Sequence, residues 1–489
     1  MQSGEKIADL NTLKQLFEKS ADVLFQTYTF GKQDVVFITC EAMIDQQLLN
    51  EVVVPRVQHV VELRNDESES LEKMIVSQLH VPSLTKVNEK EEIITLIYTG
   101  NVLLYFDSNC LFASNISKKP NRNPEETKLE VPVKGPRDNF IEDIAVNIAL
   151  VRKRLPTNSL CVEKFELGRR SKTAVALLYF DDIASKETLY SIKKQLKKVD
   201  TDIVFSGDLL MEQVNKSSKL FPKTDYTGRA DKAIQALVRG RFLIFVDGVA
   251  YGVITPVNLF LLVKTGEDNE YPSVFSSMTR LLRIFGMTIG IILPAFWLAL
   301  TTFHQDQLPL QLLATVVQSN TGLPFPSFLE MLLMLLMFEL FREAGLRLPS
   351  ALGGTIGVVG GLIIGDAAIR AGVTSPAMIV IIATSTIATF TLVNQALTST
   401  VSILRLCFIL LTAFLGLFGF FMSVFFTILF LAGIRIFGVP YLNISADLNW
   451  MTIKRTFFRL PPDQYKTRPE MLNPIDKTRA KSNENNNEK

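Results

Sequence analysis

Three carboxylates stand where apolar side chains dominate. Residues 328–349, FLEMLLMLLMFELFREAGLRLP, carry Glu330 and Glu339, and Asp366 follows the run LGGTIGVVGGLIIG. An ionised carboxylate in the middle of a hydrocarbon layer costs at least about 2.5 kcal/mol, so each of these needs a cation, a set of donors or water. Glu330 and Glu339 are nine residues apart, half a turn out of phase on one helix, so they do not form a joint site. Arg342 lies three residues after Glu339, a spacing that suits pairing at the interface, whereas Glu330 is freer to face a vestibule or another subunit. Gly353, Gly357, Gly361 and Gly365 recur every fourth residue and give a stripe that lets helix backbones approach closely. Asp366 shares the other side with Thr355, Val359 and Leu362. With several copies around an axis, Val359 and Leu362 become apolar constrictions and Asp366 a ring that concentrates cations. The alternative is local: Asp366 pairs with Arg370 at i+4 near the end of the span.

Other chemistries lack their residues. The chain has no GxxxxGK[ST], HExxH or GxSxG, and His59, His80 and His304 are far apart, so neither enzyme, metal site nor cofactor is expected. A net charge of +2 gives no general pull toward nucleic acid. The four scattered cysteines, Cys40, Cys110, Cys161 and Cys407, are expected to be free thiols in a reducing compartment.

The elements that must hold the carboxylates lie in the second half of the chain. Of 489 residues 48% are apolar, but ionisable side chains concentrate before residue 270 and are few from 284 to 434. Residues 284–303 form an uncharged run of twenty, about 30 Å as a helix, which matches a bilayer core. Cys407–Ile434 is a second uncharged run, read as one tilted span too short to cross twice. With the glutamate-bearing, glycine-rich and hydroxyl-rich (376–395) segments between them, four or five segments cross. Five would place the C-terminal tail outside, against the preference of its Lys454, Arg455, Arg459, Lys466 and Arg468 for the cytoplasm; four would follow if the glutamate run did not cross fully. The hydroxyls of Thr384, Ser385, Thr386, Thr389 and Thr391 are read as helix-packing groups.

The first half looks duplicated. DVVFITCEAM (34–43) resembles AVALLYFDDI (174–183), and GNVLLYFDSNCLFAS (100–114) resembles GRFLIFVDGVAYGVI (240–254), both at an offset of 140. Each repeat is predicted to have an amphipathic helix, at 10–28 and 138–155, the second capped by Asp138, with Asp107 and Asp247 in hairpin turns. Arg152, Lys153 and Arg154 close the second helix as a solvated basic end, or as a contact with a partner subunit or lipid headgroups. Residues 64–70 are read as a loop and 117–136 as a linker between the repeats. The fold class is thus a membrane protein: two similar cytoplasmic α/β subdomains (1–116 and 137–272), a helical membrane domain (273–438) and a basic, partly disordered cytoplasmic tail (439–489). The opening residues MQSGEKIADL contain no apolar signal stretch, which keeps the first half in the cytoplasm.

Six ordered stretches carry a resemblance: GPRDNFIEDIAVNIALVRKRL, FPKTDYTGRADKAIQALVRGRFLIFVDG, LALTTFHQDQLPLQLL, GLPFPSFLEMLLMLLMFELFREAGLRLP, GLIIGDAAIRAGVTSP and IRIFGVPYL. Together they resemble the GerA family, the A subunits of spore germinant receptors; the stage V sporulation AF proteins share the same motifs. The resemblance implies a multi-pass protein of the inner spore membrane that works with a transporter-like, nutrient-binding B subunit and a lipoprotein C subunit. It also implies a homo-oligomeric channel that releases monovalent cations when nutrient is sensed. The chain departs from the family pattern at Leu335 and Met337, where members often have Glu and Thr, and at Asn320 and Thr321, where a charged pair is common.

Overall fold

The computed structural model describes residues 9–479, apart from 32, 64–70, 107–109, 119–137, 215–219, 348–364, 443–449 and 462–463. The predicted linker, the 64–70 loop and the turn at Asp107 lie outside the described residues. The chain divides into two compact units: 1–216 with 224–256 and 465–489, and 217–223 with 257–464.

The first unit contains two five-stranded antiparallel sheets of the same order. One runs β1 (Val23–Phe30), β2 (Gln33–Cys40), β4 (Asn101–Phe106), β5 (Cys110–Asn115), β3 (Thr85–Lys86). The other runs β6 (Leu160–Leu167), β7 (Thr173–Phe180), β9 (Phe242–Val246), β10 (Gly252–Thr255), β8 (Asp225–Thr227). Even the register repeats: Val35 lies opposite Phe106 and, 140 residues on, Val175 lies opposite Val246.

The central strands read as unbroken apolar runs because both faces are covered. Val35 and Phe37 of β2 pack with Val57 and Val60 of helix α1 (Val54–Glu62). Val36 and Ile38 pack on the opposite face with Ile93 and Ile97 of α2 (Lys90–Tyr98). Before β4 and β9 the chain turns through Gly100 and Gly240, both at positive φ, +96° and +89°. The positive φ explains the glycine that opens each duplicated motif, and at Gly100 a Cβ would also stand 2.5 Å from the Met43 carbonyl oxygen.

Both predicted amphipathic helices are shorter than their sequence patterns. The first spans only Leu10–Leu16, and the β-prone residues 23–30 form β1. The second, α3, spans Ile144–Arg154, and its cap is Asp143, whose carboxylate accepts from the amides of Ala145 and Val146. Asp138 instead pairs with Arg154 at 2.7 Å. Asp247 does occupy a turn, and its Oδ1 accepts from the Ile144 amide at 3.3 Å.

Arg152 corrects the reading of a solvated basic end, because it is fully buried between the repeats. Its Nε and Nη2 donate to the two Asp22 carboxylate oxygens at 2.8 and 2.9 Å, and Nη1 donates to the Thr157 carbonyl. The guanidinium carbon lies 4.0 Å from the centroid of the Tyr98 ring. Burial opposes the charge on Arg152, yet the adjacent Asp22 carboxylate leaves its pKa raised. Burial pushes the Tyr98 phenol up to about 12 and raises the Cys40 thiol as well, the latter with help from Asp22. Cys40, Cys110, Cys161 and Cys407 are free thiols.

Part of the predicted tail also belongs to the first unit. Arg468 donates to the Val238 carbonyl at 3.0 Å and to Asp476 at 2.5 Å, and the Ile475 amide donates to the Ile183 carbonyl.

The second unit is helical. Its main elements are α4 (Ser273–Thr302), α5 (Ser327–Arg347), α6 (Pro376–Thr389) and α7 (Gln395–Gly433), followed by α8 (Trp450–Phe457). Among the described residues two helices, α4 and α7, are long and apolar enough to cross a membrane. Residues 257–272, assigned from sequence to the second subdomain, group with this unit.

The run from Cys407 to Ile434 is not one straight helix. Gly416 sits at φ +62°, ψ −141°, and the helix folds back there into limbs 395–415 and 417–433. The rings of Phe408 and Phe420, twelve residues apart, lie 6.3 Å from each other, where a straight helix would separate them by about 18 Å. The limbs are about 31 and 26 Å long, so the stretch read as too short to cross twice reverses direction about a third of the way along.

Candidate functional site

The helical unit keeps its polar groups inside. Large apolar residues such as Phe414, Phe418, Phe421, Phe425, Val380 and Ile387 are exposed, whereas Glu330, Arg405, Ser385, Thr389 and Thr412 are buried. This is the reverse of a water-soluble bundle.

Glu330 is enclosed within the chain rather than open to a vestibule. It lies in the first turn of α5, where Pro326 and Ser327 start the helix, and it is 2% exposed. Its Oε1 accepts from Thr374 Oγ1 at 2.8 Å, the Ser375 amide at 2.6 Å and Ser375 Oγ at 3.0 Å. Ser375 in turn caps α6, accepting from the Met378 amide at 3.3 Å. One carboxylate therefore fastens the start of α5 to the start of α6, and the positive end of the α6 dipole favours its charge.

Glu339 forms a separate network. The expected i+3 pair is present, Arg342 Nη2 to Glu339 Oε1 at 2.6 Å, but a second cation completes it. Arg405, 1% exposed on the first limb of α7, approaches Glu339 Oε2 at 3.5 Å and donates to Ser385 Oγ at 3.1 Å. Ser385 donates to the Gly290 carbonyl of α4 at 2.9 Å, and Arg342 donates to Ser402 Oγ at 2.9 Å. Four helices thus share one partly buried network of two guanidiniums and one carboxylate, with Arg405 its buried member. Arg405 Nε makes no hydrogen bond.

Close helix packing is seen at a glycine pair that the sequence reading passed over. A Cβ on Gly286 of α4 would stand 2.4 Å from Thr391 Oγ1, and one on Gly290 would stand 2.7 Å from Thr389 Cγ2. The GxxxG spacing of Gly286 and Gly290 was the available signal. The hydroxyl-rich segment supplies the opposing surface, and Thr389 Oγ1 bonds back to the Thr386 carbonyl at 2.6 Å.

Thr355, Val359 and Leu362, with Gly353, Gly357 and Gly361, lie outside the described residues. Gly365 is described, and a Cβ there would meet only Ile379 Cγ2, at 4.0 Å. Asp366 pairs with Arg370 at 2.8 Å, the local alternative drawn from the sequence, and both side chains are exposed. Neither Glu330 nor Glu339 joins it.

A cavity of about 700 Å³ lies in this unit, lined from the two limbs of α7 by Leu404, Phe408, Leu411, Phe426 and Phe430. Its walls are apolar and suit hydrocarbon rather than ions.

Residues 11–471 match the Bacillus/Clostridium GerA spore germination protein family. Spore germination protein XA of Bacillus anthracis is 40% identical over 455 residues, covering 93% of this chain and 92% of that protein. Spore germination protein KA of Bacillus subtilis (strain 168) is 30% identical, covering 94% of this chain and 85% of that protein. The N-terminal domain of the A subunit of the Bacillus megaterium spore germinant receptor GerK3 aligns with 52% of this chain and 98% of that domain, at 24% identity and a TM-score of 0.39. The chain belongs to the GerA family of spore germination proteins.

Proposed function

We propose that the chain is the A subunit of a nutrient-sensing germinant receptor, and that its helical unit lies as a multi-pass domain in the inner spore membrane with the α/β unit on the core side. The observation that carries the membrane reading is the inside-out helical unit, apolar outside with Arg405, Glu330 and Ser385 buried within. The germination role rests on the relatives, which are named as spore germination proteins. Copies of the chain gather around a conduit for monovalent cations, with Thr355, Val359, Leu362 and Asp366 toward the axis, together with a transporter-like B subunit and a lipoprotein C subunit. The chain itself catalyses no reaction. Glu330 and Glu339 serve the frame rather than the path, because both are engaged within the chain, whereas Asp366 is exposed beside Arg370.

The test is ion flux from vesicles holding the chain with its partner subunits. Nutrient should release cations; Leu362→Ala should let them leak without nutrient, and Asp366→Asn should lower conductance several-fold. Unchanged gating and conductance in both variants would remove the conduit. The ion pair of Asp366 with Arg370 favours a second reading, a non-conducting relay from the B subunit, for which no condition produces flux while deletion of the α/β unit still abolishes germination.

A further inference from the structure

Helix α8 lies against the first turns of α4. Phe457 meets Phe260 with ring centroids 5.5 Å apart, Arg280 Nη1 donates to the Phe458 carbonyl at 3.0 Å, and the Arg459 amide donates to Ser277 Oγ at 2.9 Å. These contacts come from Phe457, the last residue of the helix, and from the two residues that follow it. Trp450 and Lys454 lie four residues apart on α8 and Phe458 follows at the same spacing, one residue past its end, with Trp450 67% exposed and Phe458 43% exposed. The Lys454 ammonium lies 5.7 Å from the Trp450 ring centroid. At its start α4 also exposes Val274, Phe275 and Met278.

The charge here is net positive. Residues 264–283 and 450–459 hold six cations, Lys264, Arg280, Arg283, Lys454, Arg455 and Arg459, against the carboxylates of Glu267, Asp268 and Glu270. Asp268 is held by Arg283 at 2.9 Å and Arg280 at 3.5 Å, so it offers little to an outside partner. An aromatic stripe with a snorkelling lysine, set among cations at the start of a long apolar helix, is the chemistry of a surface that lies in lipid headgroups.

We propose that α8 and the first turns of α4 dock together on anionic phospholipid, with Trp450 and Phe458 entering the acyl boundary and the exposed Lys454 meeting the phosphates. The proposal rests on the membrane reading above and goes beyond it, because it makes the seating of the helical unit depend on headgroup charge. Juxtamembrane cations draw on the surface potential of anionic lipid and lose that attraction in salt.

The full chain has two tryptophans, Trp297 and Trp450, so Trp297→Phe leaves Trp450 as the reporter. This variant is placed in vesicles of phosphatidylcholine with or without phosphatidylglycerol, each containing lipid brominated near the headgroups. The expected result is blue-shifted emission and bromine quenching that both increase with phosphatidylglycerol, with Lys454→Gln or high salt removing most of the gain. Emission and quenching unaffected by phosphatidylglycerol would overturn the proposal. So would emission shielded from water but not quenched by bromine, which would mean that protein covers Trp450. Alkaline carbonate separates the two readings: a chain that washes off the vesicles defeats the membrane reading itself, whereas an embedded chain with an indifferent Trp450 defeats only this one.

Discussion

Arg152 gives the sharpest case at the scale of a residue. Its Asp22 partner is 130 residues away in the other repeat, so a spacing rule that looks three or four positions along a helix does not reach it. Arg405 was missed in the same way, because its Glu339 partner is reached only when α5 and α7 pack. Removing one member of a buried pair leaves the other charge without compensation, so Arg152→Met should destabilise the α/β unit by about 3–5 kcal/mol. Adding Asp22→Leu should recover part of that loss, and near-UV circular dichroism melts of the two variants would measure it. Asp476 makes a prediction in pH. Its carboxylate accepts from the Thr478 hydroxyl and amide at 2.6 and 2.8 Å and from Arg468, which lowers its pKa to about 2. A folded-state pKa below the ordinary carboxylate range stabilises above that range, and the contribution is lost as pH falls through about 2. Segment 465–479 should therefore resist pepsin at pH about 4 and be cut near pH 2, and Asp476→Asn should be cut at both.

Among the elements, the duplicated α/β unit was the most legible in the sequence. Each repeat keeps a glycine that must take positive φ and a strand covered on both faces, and these leave a mark that survives at an offset of 140 residues. The fold-back at Gly416 left no such mark. An apolar run carries no periodicity that distinguishes one tilted helix from two short limbs, and the turn needs only one glycine, packed with Phe303 Cγ about 3.0 Å from where a Cβ would sit. Two outcomes follow. Cysteines at Phe408 and Phe420, in a chain with Cys407→Ser, should form a disulfide on mild oxidation, which a straight helix forbids. Gly416→Val should cost on the order of 1–3 kcal/mol through backbone strain alone, seen as a lower melting temperature and a slower cross-link. Failure of the cross-link in the otherwise native chain would restore the single tilted span.

At the scale of the helical unit, the fold-back bears on the count of crossing segments and the side of the basic tail. Five segments left the basic tail outside, and the proposed remedy was that the glutamate-bearing run did not cross fully. The contacts give another answer. The Leu259 amide donates to the Tyr441 carbonyl at 3.1 Å, and residues 458–459 bond to Ser277 and Arg280, so the chain leaving α7 returns to the end of the unit where α4 begins. Phe303, at the far end of α4, packs on the turn at Gly416. A helix of 30 residues, about 45 Å, separates these two ends, which is more than a hydrocarbon core. If the unit crosses a membrane, Val274 and Lys454 must therefore face one side and Asp306 the other. In a chain with Cys407→Ser, Val274→Cys and Lys454→Cys should react with an impermeant maleimide from the same side, and Asp306→Cys only from the opposite side. Labelling of positions 274 and 454 from opposite sides would mean that the second limb does not return, and the basic tail would then lie across the membrane from the start of α4.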